Sequence, residues 1–242
     1  MKQITYIIFC VALLASCSEA VVESYHINGS SSVSLLDGSK LYLKAPKDTS
    51  LAVFDSCEVV HGTFTFNGQF DTTKVAHLFM DNQSLMPVVI ELGPIDIRID
   101  KASQKVSGTP LNDLLYDYLD KHMQIVNRSS ELSHREAQMF LEGYDEETIY
   151  RQLSVEAAQL PAQKDSLETH FIIENIDNAL GPYAFQMLAE DVMTLYGYPV
   201  LTPQIEQILM NAPESFKNDA YVKAYCKAAD EIEAKMKGDN AE

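Results

Sequence analysis

Val106-Ser107-Gly108-Thr109-Pro110-Leu111-Asn112-Asp113 is the stretch where the chain changes its period. Before it, apolar residues recur at every second position; after it, they recur at helical spacing. Thr109 suits a helix N-cap, and Pro110 suits the first helical position, where its missing N–H loses no bond. Leu111, Leu114, Leu115, Tyr118, Leu119 and His122 then share one stripe, with Asp113, Asp117 and Asp120 largely outside it.

Upstream, from Tyr25 to about Ser107, short strands alternate with turns. Lys40-Leu41-Tyr42-Leu43-Lys44, Gly62-Thr63-Phe64-Thr65-Phe66-Asn67-Gly68 and Ile95-Asp96-Ile97-Arg98-Ile99-Asp100 alternate with a period of two. Leu51-Ala52-Val53-Phe54 and Val75-Ala76-His77-Leu78-Phe79-Met80 are evenly apolar, which predicts strands buried on both faces. Pro87–Leu92 is a further strand. Asp37-Gly38, His61-Gly62, Asn67-Gly68, Asp81-Asn82 and Gly93-Pro94 supply turn chemistry. Strands of this length and spacing predict an antiparallel sandwich or barrel-like sheet.

Downstream, helices are predicted at about Asp145–Gln159, Ala162–Ala179, Tyr183–Tyr196, Thr202–Met210 and Phe216–Lys237. Pro161, Gly181-Pro182, Gly197, Pro199, Pro203 and Pro213 mark the boundaries. The fold class is therefore α+β: an antiparallel β-sandwich-like domain over residues 24–108, followed by an all-helical domain over 109–238.

The first residues carry an address. Lys2 precedes the apolar run Tyr6–Leu14, which is too short to cross a hydrocarbon core of ~30 Å. The run ends in Leu14-Ala15-Ser16-Cys17, which resembles the bacterial lipobox. Residues 1–16 read as a signal peptide cleaved after Ser16, Cys17 as the lipid attachment site, and residues 17–23 as a polar tether. The lipid implies anchoring to a cell-envelope membrane, the outer membrane being expected and the periplasmic or surface face left open.

Composition narrows the rest. A hydrophobic content of 46% supports a packed core, so disorder is not expected. The formal charge of −17 becomes one unit more negative when Lys2 leaves, and such a polyanion repels nucleic acid and anionic head groups. Cys57 and Cys226 remain once Cys10 is removed and Cys17 is lipidated. They form no C-x-x-C and are read as small buried apolar residues, a disulfide remaining possible if they meet in space.

Three ordered segments resemble an uncharacterised β-rich domain found at the N-terminus of Bacteroidetes envelope lipoproteins. Asp55–Gly68 is similar to its "dSa-v-dGkFtFkG" hairpin, Pro87–Ile95 to its "fiLEpG-i" segment, and Val106–Asp113 to its "vsGTplNd" segment. The resemblance covers roughly residues 24–125, and Phe171–Gly181 is similar to the helical linker of the same proteins. There the domain precedes a thioredoxin-like or peroxiredoxin-like domain. This sequence runs to Glu242 without the cysteines of such a domain, so a redox function is not expected to transfer.

No catalytic, cofactor or metal site is expected. His26, His61, His77, His122, His134 and His170 are dispersed, and none forms H-E-x-x-H or a close His/Cys/Asp set. Asp145-Glu146-Glu147 reads as acids favouring a helix N-terminus. Tyr183, Tyr196 and Tyr198 are expected in core or capping roles, with a ligand or partner surface as the alternative. Asp71-Thr72-Thr73 and Asp165-Ser166-Leu167 resemble a short O-glycosylation signal. The function expected is a non-enzymatic binding or assembly module that contacts an envelope protein or a small-molecule ligand. The alternatives are an accessory in envelope thiol–disulfide metabolism and a hydrolase with an interdomain cleft.

Overall fold

The computed structural model describes residues 23–47 and 50–239. Ser16 and Cys17 lie outside the described residues. Eight strands come first: β1 (Glu23–Ser31), β2 (Lys40–Lys47), β3 (Ser50–Glu58), β4 (Thr63–Phe70), β5 (Lys74–Met80), β6 (Gln83–Ile90), β7 (Gly93–Ile99) and β8 (Gln104–Ser107). They form two four-stranded sheets, in the orders β4-β1-β7-β8 and β3-β2-β5-β6. Alternation decides which side chains turn inward. Ile27, Phe66, Ile95 and Ile97 of the first sheet and Leu41, Leu43, Leu78 and Val88 of the second are buried in one common core. Each such side chain contributes roughly 1.5–3 kcal/mol by leaving water.

Three details depart from the sequence reading. The sheets are not wholly antiparallel, because β1 lies parallel to β7 with Ile27 opposite Ile95. The five intervening strands supply the long crossover that parallel neighbours need. Leu51-Ala52-Val53-Phe54 is not buried on both faces. It belongs to β3 at a sheet edge, where Leu51, Val53 and Phe54 stay exposed. Asn67-Gly68 is not a turn but part of β4, opposite His26 and Tyr25. A Cβ on Gly68 would fall 2.3 Å from the Tyr25 hydroxyl, so this glycine makes room for a ring rather than reversing the chain.

Six helices follow: α1 (Pro110–Leu141), α2 (Glu146–Glu174), α3 (Leu180–Tyr196), α4 (Pro203–Asn211), α5 (Glu214–Lys217) and α6 (Ala220–Asp239). No helix among the described residues is long and apolar enough to cross a membrane. The 32 residues of α1 extend about 48 Å at 1.5 Å per residue.

The junction between sheet and helix is built from the segments that the sequence singled out. Gly108 holds φ +97°, and a Cβ there would lie 2.6 Å from the Pro94 carbonyl oxygen. Thr109 stands at the N-cap position, yet its side chain does not cap the helix. The buried carboxylate of Glu91 does so instead, with Oε1 accepting from the backbone N–H groups of Leu111 (2.9 Å) and Asn112 (3.1 Å). A carboxylate from the link between β6 and β7 thus satisfies two orphan donors at the positive end of α1. Thr109 Oγ1 turns to the Asn112 side chain at 2.8 Å.

Helix boundaries shift for identifiable reasons. Pro161 does not end a helix; α2 continues through it. Its missing N–H frees only the carbonyl of Ala157, which is exposed, while Leu153, Leu160 and Ile172 are buried on either side. Pro182 likewise falls within the first turn of α3, which begins at Leu180 rather than Tyr183. The last predicted helix divides into α5, which ends at Lys217 with Asn218 as its C-cap, and α6, which Asp219 caps. Asp219 Oδ1 accepts from Tyr221 N (2.9 Å) and Val222 N (3.2 Å).

Candidate functional site

A cleft of about 800 Å³ opens where the second sheet meets the helices. Ala45 and Pro46 of β2, Leu51 of β3 and Val75 of β5 form one wall. Pro182, Tyr183 and Gln186 of α3 and Ala220, Tyr221 and Ala224 of α6 form the other. The volume lies in the usual range for small-molecule sites, ~300–1,000 Å³. Most of the surface is apolar, with polar groups at Ser50, Thr73, Lys74 and Asp219.

Local folding fixes what each polar group can do. Lys74 opens β5, with its ammonium 5.3 Å from the Phe54 ring centre and 3.9 Å from Asp71. It is the one cation among the described lining residues. Asp219 is occupied by capping α6. Burial, then Glu190, pushes the Tyr183 hydroxyl up to about 12. Burial, then Glu190 and Tyr225, does the same for Tyr221. Both phenols therefore stay protonated at neutral pH. His77, whose ring lies 5.7 Å from that of Tyr183, is pushed down by burial more than Glu190 raises it. The cleft can thus hold an apolar body, offer phenolic hydrogen bonds and meet an anionic group at Lys74.

A second polar site lies among the helices. The carboxylate of Glu168 on α2 is almost wholly buried. Its Oε1 meets His122 Nε2 at 2.9 Å and Lys164 Nζ at 2.7 Å, and its Oε2 accepts from Gln204 Nε2 at 3.2 Å. Lys164 also reaches Asp191 at 2.8 Å. No close His/Cys/Asp set stands in the sequence, yet the fold brings atoms of His122, Glu168 and Asp191 within 4.8 Å of one another. These residues are spread over α1, α2 and α3, so spacing along the chain could not reveal them. Lys164 already bridges the two carboxylates, and a metal ion would have to displace its ammonium. Burial works to raise the pKa of Glu168, but the hydrogen bonds from His122, Lys164 and Gln204 outweigh it and hold it below its ordinary value. The set acts as an internal ion-pair tie among four helices.

The other singled-out residues are placed as follows. Cys57 on β3 and Cys226 on α6 are free, partly buried thiols packed against the main core. Tyr183 lines the cleft, whereas Tyr196 and Tyr198 stand outside its lining. Tyr221, which the sequence did not single out, takes a place beside Tyr183. It follows an Asp-Ala step at a helix start that no motif marks. Asp145 caps α2 through Thr148 N at 2.8 Å, as its acidic run suggested.

Glu91, Gly108, Thr109 and Asn112 all serve the sheet–helix junction rather than the cleft, which gives the shared motifs a structural meaning. Residues 25–115 match the model of a domain of unknown function, DUF4369. The chain thus carries an uncharacterised N-terminal domain of the kind its motifs resembled. The DUF4369 match runs past the last strand to Leu115, so the family unit takes in the first turn of α1 together with Asn112. That boundary makes physical sense, because the edge of β6 is completed by α1. No curated protein and no solved structure matches the chain.

Proposed function

We propose that this chain is a lipid-anchored cell-envelope protein whose body acts as a binding or assembly module, with the cleft between sheet and helices as its ligand site. The observation that carries the reading is the composition of that cleft. Among the described lining residues, alanine, proline, leucine, valine and two protonated tyrosines surround one ammonium, Lys74, and one carboxylate, Asp219, which is engaged in capping α6. Such a surface favours a largely apolar small molecule with one anionic group near Lys74. Anchoring through Cys17 supports the same reading, since a tether of a few residues would keep the cleft close to a membrane surface.

The test is the native mass of the protein released gently from its own envelope. A defined additional mass that disappears when the cleft is filled supports the proposal. A bare chain, or an additional mass indifferent to cleft substitutions, contradicts it.

A further inference from the structure

The distal halves of α1 and α2 form an arm with its own buried cluster, Leu132, Met139, Ile149, Leu153 and Leu160, separate from the main core. Arg128 of α1 fastens the arm to Glu156 of α2 through two hydrogen bonds. At its end, the last two residues of α1, Phe140 (65%) and Leu141 (85%), are exposed, with Tyr144 in the turn that follows and Tyr150 (74% exposed) one turn into α2. Large apolar side chains this open at one end of an otherwise charged arm mark a contact surface better than a solvated one.

The charges around this tip choose the partner. From Arg135 to Arg151 the chain carries Glu136, Glu142, Asp145, Glu146 and Glu147 against Arg135 and Arg151, all exposed, and the turn itself, from Glu142 to Glu147, carries acids alone. A second copy of the tip would bring the same acids face to face. An anionic bilayer would repel them as well. A protein whose apolar pocket is rimmed by lysine or arginine matches both features at once. We infer that the tip of the α1–α2 arm is a docking surface for such a basic-rimmed protein partner in the envelope. This surface is distinct from the cleft, so either assignment can fail without the other.

The test places a photo-cross-linking amino acid at Leu141 in the full chain, expressed in its native cell. The expected result is one dominant cross-linked protein, joined through a peptide in which lysine or arginine flanks apolar residues. Its yield should fall at least tenfold with Glu146→Lys/Glu147→Lys, and again with Phe140→Ser, and should stay unchanged with Ala224→Trp in the cleft. All of these positions are exposed, so an unchanged circular dichroism spectrum shows that the fold persists. Cross-linking only to lipid, to another copy of the chain or to nothing would overturn the inference. So would a yield indifferent to the charge reversal.

Discussion

Asn112 treats Val89 as a neighbouring β-strand would: its Oδ1 accepts from Val89 N and its Nδ2 donates to Val89 O, both at 2.8 Å. Two residues away, Pro87 offers its carbonyl to the Tyr116 hydroxyl at 2.9 Å. The first turns of α1 thereby complete the edge of β6, and a helix replaces the strand that would otherwise be needed there. Pro87 fits because an edge strand tolerates the loss of a donor.

Asn112→Ala should cost about 2–3 kcal/mol, since it strands a buried N–H, a buried carbonyl and the Thr109 hydroxyl together. Asn112→Asp should cost more, because a carboxylate cannot donate to Val89 O and would be buried beside Glu91. Urea unfolding checks both; a change below ~0.5 kcal/mol for Asn112→Ala would remove the junction from this role.

The Glu168 tie gives stability a defined pH dependence. A carboxyl held below its ordinary 4.5 in the folded chain stabilises the fold above that pH and loses the contribution as pH falls through the folded value. The wild type should therefore lose stability below about pH 4.5 more steeply than Glu168→Gln. Chemical unfolding at several pH values compares the two, and parallel curves would deny the tie. Lys164→Met should destabilise the fold by about 3 kcal/mol by leaving Glu168 short of a cation.

Cys57 and Cys226 should both be thiols in the native protein, and slow ones. Burial, then Asp55, pushes the Cys57 thiol up to about 12, and burial raises that of Cys226. At pH 8 the reactive thiolate is scarce at Cys57, so its alkylation should be many-fold slower in the folded than in the urea-unfolded protein. Peptide mass spectrometry after timed alkylation reads this. A disulfide linking the two, or equal rates in both states, would contradict it.

Cys17→Ser should release the chain from the membrane fraction. Lipid burial contributes about 0.8 kcal/mol per CH₂, which a serine cannot replace. Fractionation of cells producing each form decides it; persistent membrane association of the variant would mean another anchor.

Much of the fold was legible because it rests on local chemistry. The period change at Gly108-Thr109-Pro110, the alternation of Ile95–Ile99 and the acidic start of α2 all say locally what they do globally. The misreadings came where tertiary context overrode a local signal. Asn67-Gly68 reads as a turn until Tyr25 needs its space. Pro161 reads as a stop until packing on both sides carries α2 through. Leu51–Phe54 reads as a buried strand because pattern alone cannot distinguish a central strand from an edge. The sites were less legible still. His122, Glu168 and Asp191 stand on three helices, and Tyr183 joins Tyr221 only through the packing of α3 beside α6. Proximity of this kind leaves no trace in spacing.

The most direct test of the binding role compares native masses of the wild type and Ala224→Trp, each purified gently from its own envelope. Ala224 faces the cleft from the exposed side of α6, so an indole there fills space without disturbing the core. The account predicts a bound mass on the wild-type protein that falls at least tenfold in the variant, with unfolding midpoints unchanged. A wild-type protein that carries nothing, or a variant that carries as much, would contradict it.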